Sequence, residues 1–293
     1  MKKLVFCLIS SILLTSCKYG FNELFGRNDE VNERSHSLVN LNDGNLAPNL
    51  NDSDSYSVLF VTDTHFGRVS SSNGARQDED FFKKLSEIKN EYESAGTPLR
   101  FAVCCGDLVE TGLKENYEKF SAELQNKLLN DFNLNLYSVV GNHDLYASGF
   151  DNWKNTVYQK SSAYKFVTGN NQKISWYFLD TGNGTLGSKQ FEHFRTLSMG
   201  DPNPKIVISH YPIYGDGIVY FSLQNRNERD KIISLLSRTN TMCYIAGHAH
   251  SSKVDYSYGE YFTEHVIQGY LDQREFVILT VNNGDYSIKR YKY

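Results

Sequence analysis

Val58-Leu-Phe-Val-Thr-Asp-Thr-His65 sets a short, unbroken apolar run against Asp63 and His65, two side chains that can bind a metal. A run of this kind reads as a strand buried on both faces. The arrangement recurs along the chain. Residues 101–105 lead into Gly106-Asp107-Leu-Val-Glu110, and residues 136–140 into Gly141-Asn142-His143-Asp144. Residues 206–208 lead to His210, and residues 243–246 to Gly247-His248-Ala-His250. A further apolar run covers residues 174–179. Between these runs, Phe81, Phe82, Leu85, Ile88 and Tyr92 fall near helical spacing, as do Phe120, Leu124, Leu128 and Leu129. Alternating strands and helices predict an α/β domain. The polar residues would then gather at the C-terminal strand ends, where open α/β sheets place their ligands. Beyond His250 the pattern turns to strands, and Asn282-Asn-Gly-Asp285 between two runs reads as a hairpin turn. Residues 56–293 read as one domain.

Any one of these polar clusters alone is a common turn. Glycine before Asn-His-Asp and His-x-His is more specific, because it permits the sharp backbone path that turns consecutive polar side chains toward one site. Five of the eight histidines, His65, His143, His210, His248 and His250, stand in these clusters. The ordered set argues for a metal centre.

In that order, Asp63-x-His65, Gly106-Asp107-x-x-Glu110, Gly141-Asn-His-Asp144, a lone His210 and Gly247-His-x-His250 resemble the calcineurin-like metallophosphoesterases over residues 56–265. The resemblance implies a four-layer α/β/β/α sandwich with a two-metal site. By the family pattern Asp63, His65, Asp107 and His250 hold one ion, and Asp107, Asn142, His210 and His248 the other. Asp107 bridges them, and His143 stays unligated beside the substrate. The chemistry suits such a set. Two divalent ions about 3.5–4 Å apart lower the pKa of bound water, so that a metal-bridging hydroxide can attack, and stabilise both attacking and leaving oxygens of a phosphate ester. Mixed imidazole, carboxylate and amide ligands favour Mn, Fe, Zn or Co. The expected reaction is hydrolysis of phosphate mono- or diesters, with His143 as general acid. Asp144 is expected either to orient the His143 ring or to make a turn contact that stabilises the fold, and Glu110 to support the site without ligating. His36 and His193 read as solvated, and His265 as packed. Tyr211, Tyr214 and Tyr220 are candidate pocket walls for a base or aryl group.

Departures from the pattern narrow the branch. Glu110 stands where purple acid phosphatases carry a tyrosine ligand. Thr111 and Leu145 stand where protein phosphatases carry phosphate-clamping arginines. The set resembles most the cyclic-nucleotide phosphodiesterase and general phosphohydrolase branch, which is chemically broad.

Met1-Lys-Lys3 followed by an apolar stretch to Leu14 reads as a signal peptide of residues 1–16, too short to span a bilayer. Leu14-Thr-Ser-Cys17 resembles the lipobox of bacterial lipoproteins, which implies a lipidated Cys17 and an extracytoplasmic, membrane-anchored protein. Residues 17–55, rich in Asn, Asp and Ser without sustained period, read as a flexible tether. Losing Lys2 and Lys3 with the signal leaves 28 basic and 34 acidic side chains, a formal charge of −6. That balance argues against nucleic acid as partner and leaves a small or membrane-associated phosphate ester. The rival readings are a nuclease and a surface lipoprotein that uses the fold only for binding. Cys104, Cys105 and Cys243 lie in apolar runs and read as buried small hydrophobes.

Overall fold

The computed structural model describes residues 27–35, 37–71, 74–157, 161–214 and 221–293. The signal peptide, Cys17, His36 and Tyr220 lie outside them. In chain order the strands are β1 (Val39–Asn40), β2 (Ser55–Val61), β3 (Ser70–Ser71), β4 (Gly74–Ala75), β5 (Leu99–Cys104), β6 (Asn135–Ser138) and β7 (Tyr164–Thr168). There follow β8 (Ile174–Phe178), β9 (Lys205–Ile208), β10 (Thr241–Ala246), β11 (Val254–Tyr258), β12 (Phe262–Val266), β13 (Glu275–Asn282) and β14 (Asp285–Lys292). The helices used below are α1 (Arg27–Arg34), α2 (Asp78–Ser94), α3 (Lys114–Phe120), α4 (Asn126–Phe132), α5 (Phe150–Val157), α6 (Ser188–Gly200), α7 (Arg226–Leu236) and α8 (Tyr270–Gln273).

One sheet has the order β14-β13-β2-β5-β6, with β2, β5 and β6 parallel. The other runs β1-β7-β8-β9-β10-β12-β11, with β8, β9, β10 and β12 parallel. Alternation along each strand divides the core into layers. Val58 and Phe60 of β2 face the second sheet and pack with Trp176, Ile206 and Ile245. Leu59 and Val61 face outward onto Phe81, Leu85 and Ile88 of α2 and onto the helices that follow β5 and β6. On the far side Tyr177, Val207 and Tyr244 of the second sheet pack against α6 and α7 through Phe194, Ile232 and Leu236. The result is the four-layer α/β/β/α sandwich.

Helix α2 starts with Asp78, Glu79 and Asp80, favourable charges at the positive end of its dipole. Phe81, Leu85, Ile88 and Tyr92 form its buried stripe, with Phe82 packed at the margin. The second expected helix continues from α3 through a π turn at Ser121–Gln125 into α4. Phe120, Leu124 and Leu128 are buried, but Leu129, one step round the helix, faces solvent at 43% exposure.

The tether reading needs correction. Among the described residues, 27–55 belong to the folded body. Val31, Leu38, Leu41 and Leu50 are buried, and β1 pairs with β7. Arg34 makes a double hydrogen bond to Asp180, at 3.1 Å each. His193 is not merely solvated, since its Nδ1 accepts the Leu38 amide at 2.9 Å and pins this segment to α6. An eight-residue helix and a two-residue strand are too short to imprint a period, and each apolar residue fills a separate niche.

Cys104, Cys105 and Cys243 are free and fully buried, and burial pushes all three thiols up in pKa, away from the reactive thiolate. His265 is packed as expected, held between Asp255 at 2.6 Å and the Tyr286 hydroxyl at 2.9 Å.

Candidate metal centre

The loops leaving β2 and β5 run side by side past the ends of their strands. Asp63 N–H donates to Gly106 O, His65 N–H to Asp107 O and Phe66 N–H to Leu108 O, all near 3 Å. This prolonged pairing places Asp63 and His65 against Asp107. His210 and the His248/His250 pair arrive from β9 and β10 of the other sheet. Asp63, His65, Asp107 and His248 all have positive φ, between 44° and 64°. Non-glycine residues in this region cost on the order of 1–3 kcal/mol each and gather where function requires a special side-chain direction.

Three groups of ligand-capable atoms form among the described residues, two of which share Asp107. Asp63, His65, Asp107 and His250 converge in one of that pair, and Asp107, His210 and His248 in the other; His65, Glu110 and His143 make the third, beside the first. His65 Nε2 lies 3.1 Å from His250 Nε2, and His250 Nε2 lies 3.2 Å from Asp63 Oδ1. In the second group His210 Nε2 lies 3.4 Å from Asp107 Oδ2 and 3.1 Å from Asn142 Oδ1. Donors bound at about 2.0–2.2 Å to one ion lie about 3–3.5 Å from each other, so these spacings fit the edges of a coordination polyhedron. Asp63 Oδ1, Asp107 Oδ2 and His248 Nε2 are buried without a hydrogen-bond partner. Orphaned buried acceptors of this kind are what a cation satisfies. The residues present therefore fit two divalent ions sharing Asp107.

The imidazoles are aimed from behind. His210 donates its Nδ1–H to Cys105 O at 2.8 Å, His143 to Glu110 O at 2.8 Å and His250 to Asp272 at 2.9 Å. His65 Nδ1 pairs with the Glu110 carboxylate at 3.0 Å. The Nδ1 hydrogen bonds of His210, His143 and His250 thus present Nε2 outward, which in His210 and His250 fixes the tautomer needed for ligation. Asn142 donates its amide N–H to the Tyr146 hydroxyl at 3.1 Å, which turns its oxygen toward His210. Glu110 stands beside His65 and His143, its carboxylate 3.0 Å from His65 Nδ1 and its carbonyl accepting from His143. Asp144 does not touch the His143 ring. Its carboxylate accepts from the amides of Leu108, Val109 and Gly141 at 2.8–3.3 Å, cross-linking the β5 and β6 loops, so its role is the fold-stabilising one.

Of the candidate pocket walls, Tyr211 stacks on His248 with ring centroids 3.9 Å apart. Tyr214 stacks instead on Tyr256 at 4.8 Å, half exposed. Asp272, Tyr146 and Thr181, whose hydroxyl accepts the amides of His210 and Tyr211, carry no motif in the sequence. Asp272 and Thr181 support His250 and His210 from 22 and 29 residues away, which spacing cannot reveal, whereas Tyr146 stands only four residues after the Asn142 it supports.

Burial is the largest single influence on these groups and opposes ionisation, but at Asp63, Asp107, His210 and His250 opposite neighbours together outweigh it. His250 holds Asp63 below the usual carboxylate range, and His210 holds Asp107 well below it. In return Asp107 pushes His210 up to about 9, and Asp63 with Asp272 pushes His250 up to about 10. His248, buried beside His210, falls to about 3. A field that retains protons on His210 and His250 also favours cations, which must displace those protons to bind. Below pH about 9, affinity for each Mn²⁺ ion is therefore expected to fall by up to roughly 10-fold per unit of acidification, one proton leaving His250 as one ion binds and one leaving His210 as the other does. Titration calorimetry in buffers of different ionisation enthalpy checks this, and a pH-independent affinity would contradict it.

Two motif glycines are explained by close approach. A Cβ on Gly106 would sit 2.6 Å from His210 Nδ1, and one on Gly141 would overlap the Asp107 amide and carboxylate. Gly141→Ala is expected to move Asp107 and to lower kcat/KM by on the order of 10²-fold, the usual cost of about 1 Å of misplacement. Steady-state kinetics of the folded variant is the check.

The calcineurin-like phosphoesterase family matches residues 56–252. No curated protein matches the chain. Among solved structures, a dimetal phosphatase from Danio rerio aligns at TM-score 0.54 and 11% identity, over 80% of this chain and 98% of its own. A purple acid phosphatase from yellow lupin aligns at TM-score 0.62 and 12% identity, over 84% of this chain. A 5'-nucleotidase from Candida albicans aligns at 0.55 and 14%, over 83% of this chain. The chain spans about half, 53%, of each of these last two. At such identities the likeness establishes the fold. With the match covering residues 56–252 and every motif side chain but Asp144 at or beside the centre, the chain belongs to the calcineurin-like phosphoesterases, hydrolases of phosphoester bonds.

Proposed function

We propose that this protein hydrolyses small or membrane-associated phosphate mono- or diesters, with His143 as general acid, at an extracytoplasmic membrane surface to which lipidated Cys17 anchors it. One observation carries the catalytic part: two ligand groups share Asp107 while the His143 ring, its centroid 4.6 Å from that of His65, joins neither of them and groups only with Glu110 and His65 beside the first. Asp63, His65, Asp107 and His250 would hold one ion, and Asp107, Asn142, His210 and His248 the other, with Mn, Fe, Zn or Co suited to the donors. When bound, such a pair supplies a nucleophile at neutral pH and neutralises phosphoryl charge.

The chain's own residues do the rest. The backbone N–H of His143 donates to Asp107 Oδ1 at 2.8 Å, so the residue that holds Asp107 also presents the acid. With Nδ1 committed to Glu110 O, the Nε2 of His143 is the atom left to give a proton to the leaving oxygen. Its side chain is 26% exposed, which keeps it within reach of substrate. Tyr211 and Tyr146 flank the two sides of the centre through His248 and His143.

A neighbour of the same fold, described as "the anchor in the inner membrane complex of Plasmodium", aligns at TM-score 0.60 and 14% identity, so the fold alone does not decide between catalysis and binding. The complete ligand set favours catalysis. Purified protein assayed with Mn²⁺, Fe²⁺, Zn²⁺ or Co²⁺ on aryl phosphate mono- and diesters is expected to turn over at least one class. A folded protein inert with all four metals would refute the reading. Cys17→Ser is expected to move the full chain from the detergent phase to the aqueous phase on partition.

A further inference from the structure

The family match ends at residue 252, yet the chain returns to the metal centre afterwards. Leaving β12, Ile267 N–H donates to Ala246 O at 2.9 Å and Gly269 N–H to His250 O at 2.9 Å. Helix α8 then docks on the first ligand loop, Tyr270 N–H donating to Thr62 O at 2.8 Å and Leu271 N–H to Asp63 O at 3.4 Å. This places Asp272, 7% exposed, between two side chains of the two ligand loops. Its Oδ2 accepts the Nδ1–H of His250 at 2.9 Å. Arg68, three residues after His65, donates to both oxygens of Asp272 at 3.3 Å.

Building on the two-metal reading above, we infer that Asp272 is a positioning residue for one metal alone, with Arg68 holding Asp272 in place. The carboxylate keeps the proton of His250 on Nδ1 and turns Nε2 toward Asp63 Oδ1 and His65 Nε2, at 3.2 and 3.1 Å. The Arg68–Asp272–His250 chain also buckles the loop after β2 to the loop after β10, the two loops that supply three of this ion's four ligands. Of the other ion's histidines, His210 is supported by Cys105 O and Thr181, and His248, although it shares the loop after β10, has its ring held by stacking on Tyr211, so the supports of both rings lie outside the Arg68–Asp272–His250 chain. Removing the buckle therefore acts on one ion and spares the other.

The test is metal stoichiometry by equilibrium dialysis against Mn²⁺, with Mn²⁺ electron paramagnetic resonance, on wild type, Asp272→Asn and the surface variant Arg68→Gln. Wild type is expected to hold two ions per chain with a spin-coupled signal. Asp272→Asn is expected to weaken one site by roughly 10–100-fold, the usual effect of losing a partner behind a metal-bound histidine, and to show the six-line signal of an isolated ion. Arg68→Gln, which leaves the core intact, is expected to weaken the same site less. Two ions of unchanged affinity in both variants, or equal weakening of both sites, would overturn the inference while leaving the two-metal reading standing. A wild type that binds no Mn²⁺ would overturn that reading, and the inference with it.

Discussion

Asp107→Asn is expected to empty both metal positions and to lower kcat/KM by roughly 10³-fold or more while the protein stays folded. Asp107 is the carboxylate common to the two ligand groups, with Oδ2 3.4 Å from His210 Nε2 and 3.9 Å from His65 Nε2. Asparagine has the same shape, and its oxygen can still accept the His143 amide that Asp107 Oδ1 accepts at 2.8 Å. What is lost is the negative charge at the one point that serves both ions. A pair of ions contributes several kcal/mol of charge stabilisation to phosphoryl transfer, and each 1.36 kcal/mol is about tenfold in rate. Metal analysis of the purified variant is the direct check. A second check is the thermal shift on adding Mn²⁺, expected in wild type because the ion binds only the folded chain, and absent in the variant. A variant that retains two ions would remove Asp107 from its bridging place.

His143→Ala is expected to give the opposite pattern: full metal occupancy and a kcat lowered by about 10²–10⁴-fold, the range of a general acid. The reason lies in which part of His143 does what. Its main-chain N–H holds Asp107, and alanine keeps that group. Its ring, tied through Nδ1 to Glu110 O, holds no place in either two-ion ligand group proposed here. The loss should be largest for alkyl esters, whose leaving oxygen needs a proton, and smallest for nitrophenyl esters, whose leaving group does not. An equal loss on both ester types would take the acid role from His143. An emptied site would mean that His143 is a ligand.

Val58–Val61 and its counterparts were readable as strands because a parallel strand between two layers is apolar on both sides and needs no period to be seen. Helix α2 was readable from its stripe of Phe81, Leu85, Ile88 and Tyr92. The N-terminal residues 27–55 were not, because Val31, Leu38, Leu41 and Leu50 fill unrelated niches in elements too short to repeat. His193 looked solvated because its partner, the Leu38 amide, belongs to a segment 155 residues away.

At the centre, the order of residues by itself determined which side chains could bind metal and that each follows a strand. Motifs of this kind are local, and glycine beside Asp107, Asn142 and His248 marks the backbone path they require. Only the tertiary structure decided how each side chain is used. It assigned the His143 ring to Glu110 O and turned Asp144 away into the cross-link between the β5 and β6 loops. It also brought Asp272, 22 residues beyond His250, to that ring. Those roles depend on which acceptor stands within about 3 Å of a ring nitrogen, and that is set by the packing of two sheets against each other, a distance no linear spacing records.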